Sequence, residues 1–268
     1  MQFLAISNNI PPMIIEKRLR FGIATVGLTL LLLISTLFFF DKAIIFIPLL
    51  IIGSYAASFF SLYEGIEKIE WYTLFLMPAL LSVGMYMFYF LFPVRWITRI
   101  PFLTIYGVSI YAILLSSNIF NVGAEKNLQL YRAGFSVNYF IQTMVFFLFG
   151  NVIASFHWGF LANGIVFGLL SGALALQLYW SIRLDMHVSR AVLNHTLLTT
   201  LLVFQASLLL SFIPLQESIF ALVLAVLYYC IAGLTHLHLD ERLFKHSVRE
   251  YVTILIVILA ILFLSISW

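Results

Sequence analysis

The stretch SSNIFNVGAEKNLQLYRAGFSVNYFIQT, residues 116–143, decides how the rest of the chain is read. It is the one long interior segment where polar side chains gather: Asn118, Asn121, Glu125, Lys126, Asn127, Gln129, Arg132, Asn138, Tyr139 and Gln142. It joins two hydrophobic runs, and the second carries its polar groups inward. Everything around it is apolar run and short connector.

Composition sets the class. Of 268 residues, 63% are hydrophobic and 9% charged, against roughly 25% charged in soluble domains. So few charges leave too little polar surface to cover a water-soluble globule. Runs of 18 or more apolar residues without a charge read as membrane spans of about 20 residues. Barrel strands would alternate over segments of about ten, and these runs are continuous. The expected fold is an all-α, polytopic membrane bundle.

Nine runs are expected as spans: 21–40, 43–63, 71–92, 101–120, 128–156, 160–181, 196–212, 218–237 and 251–268. The first is too long for a signal-peptide core and ends without a small-residue cleavage site, so it reads as a retained span. Residues 1–20 then form a cytoplasmic segment and residues 21–268 a single transmembrane domain. With the N-terminus inside, the inner segments carry Lys17, Arg18, Arg20, Lys68, Lys126, Arg132, Arg183, Arg190, Arg242, Lys245 and Arg249. The outer ones carry only Lys42, Arg95 and Arg99, out of 14 basic residues. Basic residues in short loops stay cytoplasmic, so the bias predicts an inner N-terminus and an outer Trp268. Trp71, Trp96, Trp158, Trp180 and Trp268 near the boundaries fit an aromatic belt. Cys230 is a lone cysteine without a disulfide partner.

Several motifs invite a chemical reading. Gly164, Gly168 and Gly172 lie four residues apart, a small-residue face for close helix packing. Ser171 with His236 resembles an intramembrane serine protease pair, but the Gly-x-Ser-Gly spacing is missed by one residue. The two also differ in depth by on the order of 15 Å. Asp41 sits where lipid-linked-sugar glycosyltransferases place an acid, in a connector much shorter than theirs. His236-x-His238-x-Asp240 resembles a metal set, yet i and i+2 point to nearly opposite sides of a helix. No catalytic residue, metal ligand or cofactor is assigned. The spans hold no carboxylate, which argues against ion-coupled transport.

The fifth run carries the candidate site. Arg132, Ser136, Tyr139 and Thr143 share one helical face, with Gln142 beside it. Polar residues within a span turn toward the protein interior or a wet cavity. The expectation is a cytoplasm-facing pocket lined by Arg132, Tyr139 and Gln142 and closed by Asn194 and His195. There Arg132 pairs with Asp185 or holds an anionic group.

Ser117-Asn118-Ile119-Phe120-Asn121-Val122 and Leu130-Tyr131-Arg132-Ala133 resemble a pattern in an uncharacterised family of polytopic integral membrane proteins from uncultivated small-genome bacteria. The resemblance implies a membrane location and nothing about chemistry.

The leading functional expectation is a non-catalytic scaffold or partner subunit of a complex in the cell membrane. The alternative is a facilitator, flippase or lipid-binding protein built on the polar pocket. A membrane enzyme acting on lipid or lipid-linked substrate is the third reading. The expected partners are membrane lipids and, for the scaffold, other membrane proteins; no nucleic-acid motif is present.

Overall fold

The computed structural model describes residues 16–38, 43–63, 71–92, 95–121, 128–183 and 188–265. They form helices α1 (Lys17–Phe38), α2 (Ala43–Leu62), α3 (Trp71–Tyr89), α4 (Trp96–Asn121), α5 (Leu128–Ser155), α6 (Phe160–Arg183), α7 (Arg190–Leu210), α8 (Glu217–Leu239) and α9 (Lys245–Ser265). No strand occurs among the described residues. Eight of the helices are long and apolar enough to cross a membrane, the composition of a multi-pass membrane protein. The third expected span, 71–92, corresponds to α3, whose apolar stretch Leu74–Tyr89 is shorter than the other eight.

Helix ends differ from the apolar runs. Helix α4 begins at Trp96 rather than 101, α7 at Arg190 rather than 196, and α9 at Lys245 rather than 251. Polar and basic residues continue a helix past its apolar stretch, because their long stems can lie on apolar surface while the heads reach water.

The helices pack in two groups. Helices α1 to α4 contact one another, and α5 to α8 do likewise, with α5 also against α3 and α4. Helix α9 packs on α8 and buries only Ile258 and Leu262. Hydroxyls inside the helices bond back to carbonyls one turn earlier, as Ser54 does to Leu50 and Ser82 to Pro78. This satisfies them without water. Ser54, Ser82 and Tyr106 also link side chain to side chain at 2.9 Å each, tying α2, α3 and α4.

Arg99 is buried where α4 begins. Its Nε donates to the Tyr89 hydroxyl at 3.1 Å and its Nη2 to the Thr36 carbonyl at 3.3 Å. Its guanidinium lies 4.9 Å from the Trp96 ring centroid. Three helices thus meet on one arginine.

The most extensive helix–helix contact is between α6 and α7, and the glycine face lies in it. A Cβ added at Gly164 would stand 2.8 Å from Leu208 Cδ2, and one at Gly172 would stand 2.7 Å from Thr200 Oγ1. At Gly168 it would meet Phe204 Cβ at 3.3 Å. Small residues let the two backbones approach.

Candidate functional site: the groove between α5 and α8

Two antiparallel stripes build the site. On α5, Arg132, Ser136, Tyr139 and Thr143 follow a 4-3-4 spacing; Tyr229, Gly233 and His236 of α8, with the residue that caps it, Asp240, repeat it. Such spacing keeps side chains on one face of a helix. It also suits two helices crossing at a shallow angle of about 20°. The stripes face a common cavity of about 900 Å³, which Phe135, Phe140, Phe147, Leu222, Val226, Arg242 and Tyr251 also line. Along α5 the lining runs from Tyr131 to Phe147, about 24 Å at 1.5 Å per residue.

The wall is aromatic. Phe135 lies flat against His236 at 3.9 Å between ring centroids, Tyr139 stacks on Tyr229 at 4.8 Å, and Tyr229 meets Tyr251 of α9 at 5.5 Å. The Tyr139 hydroxyl donates to the Tyr229 carbonyl. Gly233 makes this possible: a Cβ there would collide with the hydroxyls of Tyr139 and Tyr251. Tyr131 turns its hydroxyl away, to the Ser181 carbonyl at 2.7 Å.

One end of the groove is charged. Helix α8 closes with Glu241 N–H on the His238 carbonyl at 3.2 Å and Arg242 N–H on the Leu237 carbonyl at 2.9 Å. That is the Schellman pattern, which wants a left-handed residue just past the helix. Glu241 supplies it at φ 56°, a conformation costing a non-glycine residue about 1 kcal/mol or more. The turn carries Asp240 and Arg242 to the groove's mouth, with Arg242 Nε 3.3 Å from Asp240 Oδ2. Arg132, across on α5, is exposed and makes no ion pair among the described residues. Ser136 and Thr143 bond back to the carbonyls of Arg132 and Tyr139, leaving their oxygens able to accept from a guest.

The expected pocket differs in membership. Arg132 and Tyr139 line the groove. Gln142 does not: it is wholly buried, donating to the Leu174 carbonyl at 3.0 Å and to Gln177 Oε1 while accepting from the Tyr228 hydroxyl at 3.1 Å. Asn138 joins the same Gln177 oxygen at 3.1 Å. Three residues past Tyr139 is a rotation of about −60° on a helix, which turns Gln142 off the groove and onto the seam with α6. Asn194 and His195 do not close the groove either. They sit on α7, which packs on α6 and α8. The His195 Nδ1 lies 2.7 Å from the Ala191 carbonyl, and its ring is 5.8 Å from that of His238. Asp185 lies outside the described residues.

Ser171 and His236 serve different parts of the bundle, and Asp41 lies outside the described residues. Ser171 Oγ donates to the Gly168 carbonyl at 2.7 Å, on α6, while His236 lines the groove. Sequence reasoning named α5's stripe and missed α8's wall. The available signal was the same 4-3-4 spacing in Tyr229, Gly233, His236 and Asp240.

A smaller pocket of about 240 Å³ lies at the opposite end of the bundle, between His157, Asn163, Ser211 and Glu217. There His157 Nε2 stands 3.3 Å from Glu217 Oε1.

No protein-family model, curated protein or solved structure matches the chain.

Proposed function

We propose that this multi-pass membrane protein binds an anionic amphiphile of the cell membrane in the α5–α8 groove. Nine spans, an inner N-terminus and an outer C-terminus put the mouth on the cytoplasmic side. One observation carries the reading: Arg132, which has no ion-pair partner among the described residues, stands at the mouth of an aromatic-walled cavity. A guanidinium at the edge of an apolar space is stabilised by an anion, and its planar fork suits a phosphate. The walls suit hydrocarbon chains, and phenylalanine and tyrosine faces hold them by area burial.

The polar stripe ends at Thr143; beyond it Met144, Phe147 and Leu222 line the cavity. From Arg132 to Thr143 is about 16 Å, roughly half of a hydrocarbon core of about 30 Å. A headgroup entering at Arg132 therefore has polar partners to mid-bilayer and none past it. That supports binding, or the inward-facing state of a facilitator or flippase, on one side of the membrane.

The test is native mass spectrometry of protein released from nanodiscs of mixed anionic and zwitterionic lipid. Retained lipid should be enriched in the anionic species, and Arg132→Gln should remove the enrichment. Retention in proportion to the bilayer would overturn the reading. A cytoplasm-only reporter fused after Trp268 should be silent, which tests the threading separately.

A second reading rests on α9. With Ile258 and Leu262 its only buried residues, it offers a long apolar face to a partner helix, as a subunit of a membrane complex would. A stoichiometric partner retained in mild detergent, and lost when exposed α9 residues such as Ile256 and Phe263 become polar, would favour it.

A further inference from the structure

The charges at the groove's mouth can be counted. Among the described residues its lining carries two arginines, Arg132 and Arg242, and one carboxylate, Asp240. Arg242 is held to Asp240 at 3.3 Å, and Arg132 has no such carboxylate among the described residues. The mouth thus carries one uncompensated positive charge.

Asp240 is also fixed in place. Its backbone N–H bonds to the His236 carbonyl at 2.9 Å, and the next two residues are tied to the same last turn of α8. The carboxylate therefore cannot retreat from the mouth by local motion of a loose loop. Its side chain is about one-third exposed, so the field it projects is only partly screened by water.

From this geometry we infer that the groove selects lipids whose headgroup is a phosphodiester with a single negative charge, and disfavours phosphomonoester lipids carrying two. The inference rests on the amphiphile-binding reading above and names its ligand class. A single charge pairs with Arg132 and leaves the Asp240–Arg242 pair intact. A second charge has two choices. It can face Asp240 directly, where like charges repel at a partly dry edge, or it can take Arg242 and leave Asp240 uncompensated. Both work against the dianion, so Asp240 acts as the repulsive element that selectivity often needs.

The experiment uses the full chain in nanodiscs at pH 8, where a phosphomonoester is close to doubly charged. Phosphatidylglycerol, phosphatidic acid and phosphatidylcholine compete in equal amounts, and bound lipid is counted by native mass spectrometry. Wild type should retain phosphatidylglycerol over phosphatidic acid by about tenfold. Asp240→Asn keeps the size and the helix end and should abolish that preference by raising phosphatidic acid. Arg242→Gln leaves Asp240 unbalanced and should sharpen the preference while lowering both anions, which serves as an independent second variant. Equal or better retention of phosphatidic acid by wild type overturns the inference but leaves the groove a lipid site. So does a preference that neither variant moves. Retention of all three lipids alike by wild type overturns the binding reading itself.

Discussion

Tyr139 of α5 donates its hydroxyl to the backbone carbonyl of Tyr229 on α8, and the two rings stack at 4.8 Å. The contact fastens the groove's two walls at mid-length. It depends on Gly233, one turn along α8, where any Cβ would collide with the Tyr139 and Tyr251 hydroxyls.

Gly233→Ala should therefore destabilise the bundle. Alanine gains about 1 kcal/mol of helix propensity over glycine, and overpacking costs about 1–3 kcal/mol, so the collision should outweigh the gain. The loss should shrink in a Tyr139→Phe, Tyr251→Ala background, where the Tyr139 hydroxyl is gone together with the whole Tyr251 ring, whose Cζ would stand 2.5 Å from the new Cβ. Thermal unfolding in detergent reads both effects, and a Gly233→Ala variant more stable than wild type would refute the packing.

Gln142 ties three helices through Gln177, Leu174 and Tyr228. Gln142→Leu keeps the bulk, strands the Tyr228 hydroxyl and takes one of its donors from Gln177 Oε1. The expected cost is about 1–2 kcal/mol, read in the same assay. Because Gln142 faces α6, the variant should bind lipid as wild type does, and a loss of binding at unchanged stability would contradict the assignment.

The glycine face predicts a position-dependent result. Gly168→Ile should cost about 1–3 kcal/mol by forcing α6 from α7. Gly27→Ile should cost little, since a Cβ at Gly27 has nothing within 4 Å. Equal effects at the two sites would mean that α6 and α7 do not meet at Gly168.

Glu241 occupies the left-handed position that ends α8, at φ 56°. Glu241→Gly relieves the Cβ clash and should stabilise by about 0.5–1 kcal/mol, part of the gain being offset by glycine's freer unfolded chain. Hydrogen exchange at Arg242, whose N–H closes the turn, should slow. Faster exchange would contradict the Schellman geometry.

These outcomes bear on what the sequence could tell. Apolar run length placed the helices, because a span must bury about 20 residues whatever its neighbours are. Helical periodicity placed Arg132, Ser136, Tyr139 and Thr143 on one face, because rotation per residue is a local property. Which helix meets that face is not local. Asn194 and His195 share Arg132's depth by counting from the boundaries, yet α7 packs on α6 and α8 while α8 lies across the groove. Gln142 was misassigned by about 60° of rotation, which a wheel with no partner attached cannot resolve. Asp240 and Arg242 enter the site only through the turn at Glu241, and nothing in a glutamate announces a left-handed backbone.

The central claim is that a lipid headgroup sits beside Arg132 in the groove, and the most direct measurement is photo-cross-linking from its wall. Phe140 lines the cavity and is 69% exposed, so a photoreactive phenylalanine there changes little. In nanodiscs of mixed lipid it should label anionic lipid well beyond that lipid's share of the bilayer. The excess should vanish with Arg132→Gln, and the same probe at exposed Leu201 on α7 should show none. Labelling at Phe140 in simple bilayer proportion, unchanged by Arg132→Gln, would contradict the account.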